Sequence, residues 1–149
     1  MRCMLSDNTR AWMRDNGFDP AVIDAPGKYA DTALMLACRH GATAIALELL
    51  GAGADHAHRN MDGTDALWAC VVSNNVELAD ALLAAGTDID NQNDNGATAL
   101  MYAASAGKTQ WVKYFLERGA DTGRRSLDDF SALDLASNIE CLRLLRASA

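Results

Sequence analysis

The stretch Asp94-Asn95-Gly96-Ala97-Thr98-Ala99-Leu100-Met101-Tyr102-Ala103-Ala104-Ser105-Ala106-Gly107 decides the reading of this chain. It opens on an Asp-Asn-Gly turn signal. Thr98 follows, whose hydroxyl can accept from one of the unpaired N–H groups that start a helix. A run of small and apolar residues then leads to a break at Gly107. The central triplet returns at a fixed step. Thr32-Ala33-Leu34, Asp65-Ala66-Leu67, Thr98-Ala99-Leu100 and Ser131-Ala132-Leu133 lie 33 residues apart. Gly53, Gly86 and Gly119 keep the same step, and Asp55, Asp88 and Asp121 each follow two residues later. A period of this length marks stacked structural repeats.

Within each period the residue types predict a pair of helices. First helices are expected over 33–40, 66–73, 99–106 and, clipped, 132–137, with Thr32, Asp65, Thr98 and Ser131 as caps. Second helices follow the breaks at Gly41, Asn74 and Gly107. Their apolar residues are Ile45, Ala46, Leu49 and Leu50, then Leu78, Ala79, Leu82 and Leu83, then Trp111, Val112, Phe115 and Leu116. That spacing is a helical stripe rather than the alternation of a strand. Gly53, Gly86 and Gly119 suit the left-handed residue that closes a helix. The Asn-, Asp- and Gly-rich stretches beyond them, such as 88–96, read as extended arms ending in tight turns.

The pattern resembles the ankyrin repeat, whose consensus runs Asp-x-x-Gly-x-Thr-Pro-Leu-His-x-Ala-Ala, then Gly, a Leu-Leu pair and Gly-Ala-Asp. The third unit matches it best, from Asp94 to Gly107 and then Gly119-Ala120-Asp121. No unit carries the family's Pro, and Met35, Trp68, Met101 and Asp134 stand at its His position. Residues 4–16 with Gly17-Phe18-Asp19-Pro20 resemble a second helix and its ending, and Ile139 to Leu145 resembles another. The step from Gly17 to Gly53 is 36, so the arm at Ala25-Pro26-Gly27 is longer. The resemblance implies an all-α fold, an ankyrin-repeat solenoid of stacked helix–turn–helix units with extended β-turn arms. It covers nearly the whole chain as one domain: cap and arm 1–30, repeats 31–63, 64–96 and 97–129, and a capping repeat 130–149. Asp7, Arg10, Arg14, Arg143 and Arg146 are expected to give the two caps a polar outer side.

Half of the 149 residues are hydrophobic and only 6% aromatic, in keeping with helices packed through small side chains. A formal charge of −7 disfavours nucleic acid, which binds by neutralising phosphate with Lys and Arg. It favours a basic surface as the complement. No apolar run approaches the length of a membrane span, and no leader is apparent at the start, so a cytoplasmic location is expected. Cys3, Cys38, Cys70 and Cys141 lie far apart without a CxxC pair and read as reduced thiols, with Cys3 exposed and oxidisable. Gly107-Lys108-Thr109 lacks the earlier glycine of a phosphate loop, because Tyr102 stands there. His56 and His58 are two residues apart on an arm but lack further ligands for a metal, and read as exposed polar residues. No nucleophile, base and carboxylate fall together. The expectation is a non-enzyme with no cofactor and no metal, monomeric on its own.

In the family the resemblance points to, arms and first helices form a concave surface where protein partners dock. The positions of this chain that correspond are Tyr29, Asp31, Met61, Asp62, Thr64, Asp94, Asn95, Asp128 and Phe130 on the arms. On the first helices they are Arg39, His40, Trp68, Val72, Tyr102 and Ser105. Trp68 fits two roles, packing at the His site or touching a partner. The function this implies is a protein–protein interaction module: an adaptor, inhibitor or regulator. The alternative is a regulatory or sensor subunit holding a small ligand in the same groove.

Overall fold

Side-chain caps start the helices at the predicted places. In the computed structural model, which describes residues 4–148, the Thr32, Asp65, Thr98 and Ser131 side chains accept from the backbone N–H three residues on. They open α2 (Ala33–His40), α4 (Ala66–Ser73), α6 (Ala99–Ser105) and α8 (Ala132–Leu135). The other helices are α1 (Asp7–Asp15), α3 (Thr43–Gly51), α5 (Val76–Ala84), α7 (Thr109–Glu117) and α9 (Ile139–Ser148). All regular structure among the described residues is helical. No helix among them is long and apolar enough to cross a membrane.

α1 and α6 each stop one residue early, at Asp15 and Ser105, and two further ends fall short of expectation for local reasons. At the start, the Ser6 hydroxyl caps α1, so the helix begins at Asp7 rather than near Met4. At α8, Ala136 leaves the helical region (φ −56°, ψ 119°), and Ser137 N–H donates to Ala104 O at 3.1 Å instead of continuing the helix. Cys3 lies outside the described residues.

Two compact units divide the chain between Thr87 and Asp88. In the first, α2 packs on α3 and α4, and α5 packs on α4 and α3. Its core is small and apolar: Ala33, Leu34, Ala37, Cys38, Leu49, Leu67, Cys70, Leu78 and Leu82 are all at most 1% exposed. Alanine and cysteine on facing first helices let the backbones approach, and the longer leucines of the second helices fill the layer behind. The Cys70 thiol is pushed up by its hydrogen bond with Cys38 and by burial, which leaves it protonated and unreactive. In the second unit α6 packs on α7 and α8, and α9 packs on α7 and α8. There Trp111, Tyr114 and Phe115 form an aromatic cluster with ring centroids 5.0–5.7 Å apart.

The helix endings are built alike. Gly53 N–H donates to Leu50 O and Ala54 N–H to Leu49 O, a paired closure that needs the left-handed Gly53 (φ 93°). Gly86 and Gly119 close α5 and α7 in the same way. The recurring Asp55, Asp88 and Asp121 then accept from the N–H two residues on, at 2.8–2.9 Å, and turn the chain into each arm.

α1 is fastened to the first unit through Glu48. That carboxylate accepts from Ser6 N–H, from the Ser6 hydroxyl at 3.0 Å and from the Thr9 hydroxyl at 2.8 Å. The Ser6 N–H first, and then the Thr9 hydroxyl, hold it below the ordinary value of 4.5. A depressed carboxyl contributes stability above its unfolded value, and the contribution is lost as pH falls through the folded one. Glu48→Gln should therefore lower the thermal midpoint near neutral pH, and the gap to the parent chain should close below about pH 4.5. A gap of constant size from pH 7 to pH 3 would show that ionisation of Glu48 does not hold α1.

Candidate interaction surface

Asparagine builds the arm turns. Asn60 Oδ1 accepts from the N–H groups of Asp62 (3.0 Å) and Thr64 (3.1 Å) and from the Thr64 hydroxyl (2.9 Å). Asn60 N–H donates to Thr64 O, and Gly63 N–H to Asn60 O. In the second unit Asn93 Oδ1 accepts from Asn95 and Ala97 at 2.9 and 3.0 Å, around the same backbone turn. Ser126 occupies the next equivalent position, and its hydroxyl accepts from Phe130 N–H at 3.2 Å. These three organisers were not among the residues singled out from sequence, although they share the period: 60, 93 and 126. The left-handed position of each turn falls at Ala30, Gly63, Gly96 and Asp129, with φ between 61° and 77°.

The turns bond to their neighbours within each unit. In the first, Met61 N–H donates to Tyr29 O at 2.9 Å, bringing two exposed side chains together (59% for Tyr29, 66% for Met61). Lys28 Nζ lies 5.1 Å from the Tyr29 ring centre. On α4, Val72 is exposed and Trp68 half-buried; on α2, His40 is exposed. In the second unit Leu127 N–H donates to Asn95 O at 2.9 Å, so the turn bearing Asp94 and Asn95 lies against the turn bearing Leu127 and Asp128. Asp94, Asn95, Asp128 and Phe130 are exposed there, with Ser105 exposed and Tyr102 half-buried on α6.

Asp31 is a correction. It is 4% exposed, and its carboxylate accepts from Arg39 Nη1 and Nη2 at 2.5 and 3.3 Å and from Asn60 Nδ2 at 2.9 Å. A buried carboxylate needs such compensation, and here it joins α2 to the neighbouring turn, so Asp31 has no surface to offer a partner. Arg39 spends its guanidinium on this pair with 35% of its side chain exposed. Thr64 is half-buried and bonded to Asn60. Asp62 stands free in solvent at the turn tip.

The two arm histidines are also corrected: both are half-buried rather than exposed. His58 Nε2 lies 2.8 Å from Ala30 O, and His56 Nδ1 lies 3.0 Å from the Thr87 hydroxyl. They tie arms together. Among the described residues no three His, Cys, Asp or Glu side chains gather in a way that could hold a metal. Cys38, Cys70 and Cys141 are free and buried. Gly107 (φ 68°) sits between two helices, with α6 rather than a strand before it.

No curated protein matches the chain. A family model described as ankyrin repeats, three copies, matches residues 8–93 and again 67–149. The matches run through both units and include every helix from α2 to α9, with caps, glycine closures and arm turns recurring in step. The chain belongs to the ankyrin-repeat family.

Proposed function

We propose that this chain binds a protein partner through the arm turns and first helices of its units. Ankyrin repeats are in general protein–protein interaction modules, and five of the nine large apolar side chains exposed among the described residues support that use here. Tyr29, Met61, Val72, Leu127 and Phe130 are 43–78% exposed, and all stand on arms or first helices. Exposed aromatic and methionine side chains are where interfaces concentrate their energy. His40, Asp62 and Trp68 flank this set in the first unit. In the second, Asp94, Asn95, Tyr102, Ser105 and Asp128 do so. The acidic side chains at the turn tips favour a partner surface with basic residues.

The test compares proteins retained from cells by the immobilised parent chain, by Tyr29→Ala/Met61→Ala and by Val76→Ala. Val76 is 46% exposed on α5, away from the arms. A partner should be held by the parent and by Val76→Ala, and held at least about tenfold more weakly by the double variant. Both variants should unfold within a few degrees of the parent, as surface substitutions do. Full retention by the double variant, or equal loss with Val76→Ala, would remove the arm turns from the interface.

A further inference from the structure

α1 turns two faces to different tasks. One buries Thr9 and Met13 and carries the bonds to Glu48. Next to it, Arg10 and Arg14 stand one turn apart, where like charges repel. Neither guanidinium forms an ion pair or hydrogen bond with another described residue, in a chain whose formal charge is −7. Both line a concavity of about 500 Å³ whose other walls are mostly apolar, with Leu5, Pro20, Ile23 and Ala52 among them. Among the described residues the one acid on the wall is Asp19, and its Oδ1 accepts from Ala21 N–H at 2.9 Å. One carboxylate against two guanidinium groups leaves the concavity with an excess positive charge. The expectation that Arg10 and Arg14 merely make the cap polar does not account for this.

We propose that this concavity is a binding site for a small organic anion: a carboxylate or phosphate monoester carried on a short apolar body. The volume lies in the range of small-molecule sites. Arg10 and Arg14 would take the anionic head, since a planar guanidinium donates in parallel to two oxygens of a carboxylate or phosphate. Leu5, Pro20, Ile23 and Ala52 would cover the apolar body and release water from both surfaces. A bare inorganic anion would leave those walls wet, and a neutral apolar molecule would leave the two charges facing each other.

The site is held ready by bonds on both sides. Ser6 and Thr9 fix α1 against Glu48. Phe18 N–H closes α1 by donating to Met13 O at 2.8 Å, and on the opposite wall Val22 N–H donates to Asp19 O at 3.0 Å and Asp55 N–H to Asp24 Oδ1 at 2.8 Å. A ligand entering a fixed wall loses little affinity to ordering the protein. The site shares no residue with the arm turns or first helices, so it stands or falls independently of partner binding.

The test is an NMR titration of the whole chain with sodium octanoate, octyl phosphate, octanol and inorganic phosphate. Saturable shifts at Leu5, Ile23 and Ala52 are expected with one or both octyl anions, and the stronger of the two identifies the head group. Arg10→Gln and Arg14→Gln should each weaken that binding about tenfold, as loss of a charge-assisted contact does, with the thermal midpoint kept. The absence of saturable shifts with either octyl anion would overturn the proposal. So would equal affinity for octanol or inorganic phosphate, or unchanged affinity in the Arg10→Gln/Arg14→Gln variant.

Discussion

Phe115→Ala is expected to destabilise the chain by about 3–5 kcal/mol, the cost of emptying a fully buried aromatic site. Phe115 is 0% exposed and packs at 5.5 Å from the Tyr114 ring and 5.7 Å from that of Trp111. Its position in the period is that of Leu49 and Leu82, both at most 1% exposed. At this position of the second-helix stripe each repeat thus buries a large side chain behind the first helices, and in the second unit that side chain is aromatic. Phe115→Leu restores the residue type used at the other two positions and should cost about 1.5 kcal/mol or less. The two variants separate the value of filling the slot from the value of the ring contacts. Urea unfolding of both, read as shifts in midpoint at constant slope, gives the comparison. A loss below about 1 kcal/mol for Phe115→Ala would mean that the slot collapses freely and that the stripe is not the core.

That stripe was readable in the sequence because helical periodicity and a 33-residue repeat reinforce each other. Leu49, Leu82 and Phe115 announce their burial by spacing alone, and Thr32, Asp65, Thr98 and Ser131 announce the helix starts by their chemistry. The candidate surface was less readable. Asp31 sits where an arm residue should be exposed, and nothing local betrays that Arg39, eight residues on, and Asn60, on another turn, converge on its carboxylate. Such a bond depends on how turns stack, which a periodic pattern specifies only on average. His56 and His58 were misread for the same reason: their partners, Thr87 and Ala30, are about thirty residues away. Asn60 and Asn93 could have been found, since they keep the period, but asparagine in an Asn-rich arm looks like generic turn composition. The Glu48 clamp on Ser6 and Thr9 had no repeat to reveal it. The N-terminal cap departs from the repeat pattern, and the concavity beside Arg10 and Arg14 arises there.

The second large effect is expected at Gly96, where two constraints coincide. Its φ of +75° disfavours any residue with a Cβ, and an added Cβ would lie 2.9 Å from the Leu127 amide nitrogen and 3.1 Å from Ser126 Cα. Both are backbone atoms, and Leu127 N–H is bonded to Asn95 O at 2.9 Å, so the neighbouring turn cannot yield without losing that bond. Gly53 isolates the first constraint: its φ is +93°, but a Cβ there would meet nothing within 4 Å. Gly53→Ala should cost about 1 kcal/mol for the left-handed backbone alone. Gly96→Ala should cost about 2–4 kcal/mol, the same strain plus a clash that must push the turns apart. The excess has a local signature, because the Leu127 amide should exchange with solvent much faster in Gly96→Ala and at the parent rate in Gly53→Ala. Since Leu127 and Phe130 ride on the displaced turn, Gly96→Ala should also weaken partner capture, whereas Gly53→Ala should leave it intact. Equal destabilisation by the two substitutions, with the Leu127 amide protected in both, would mean that close contact between turns does not hold the arm in place.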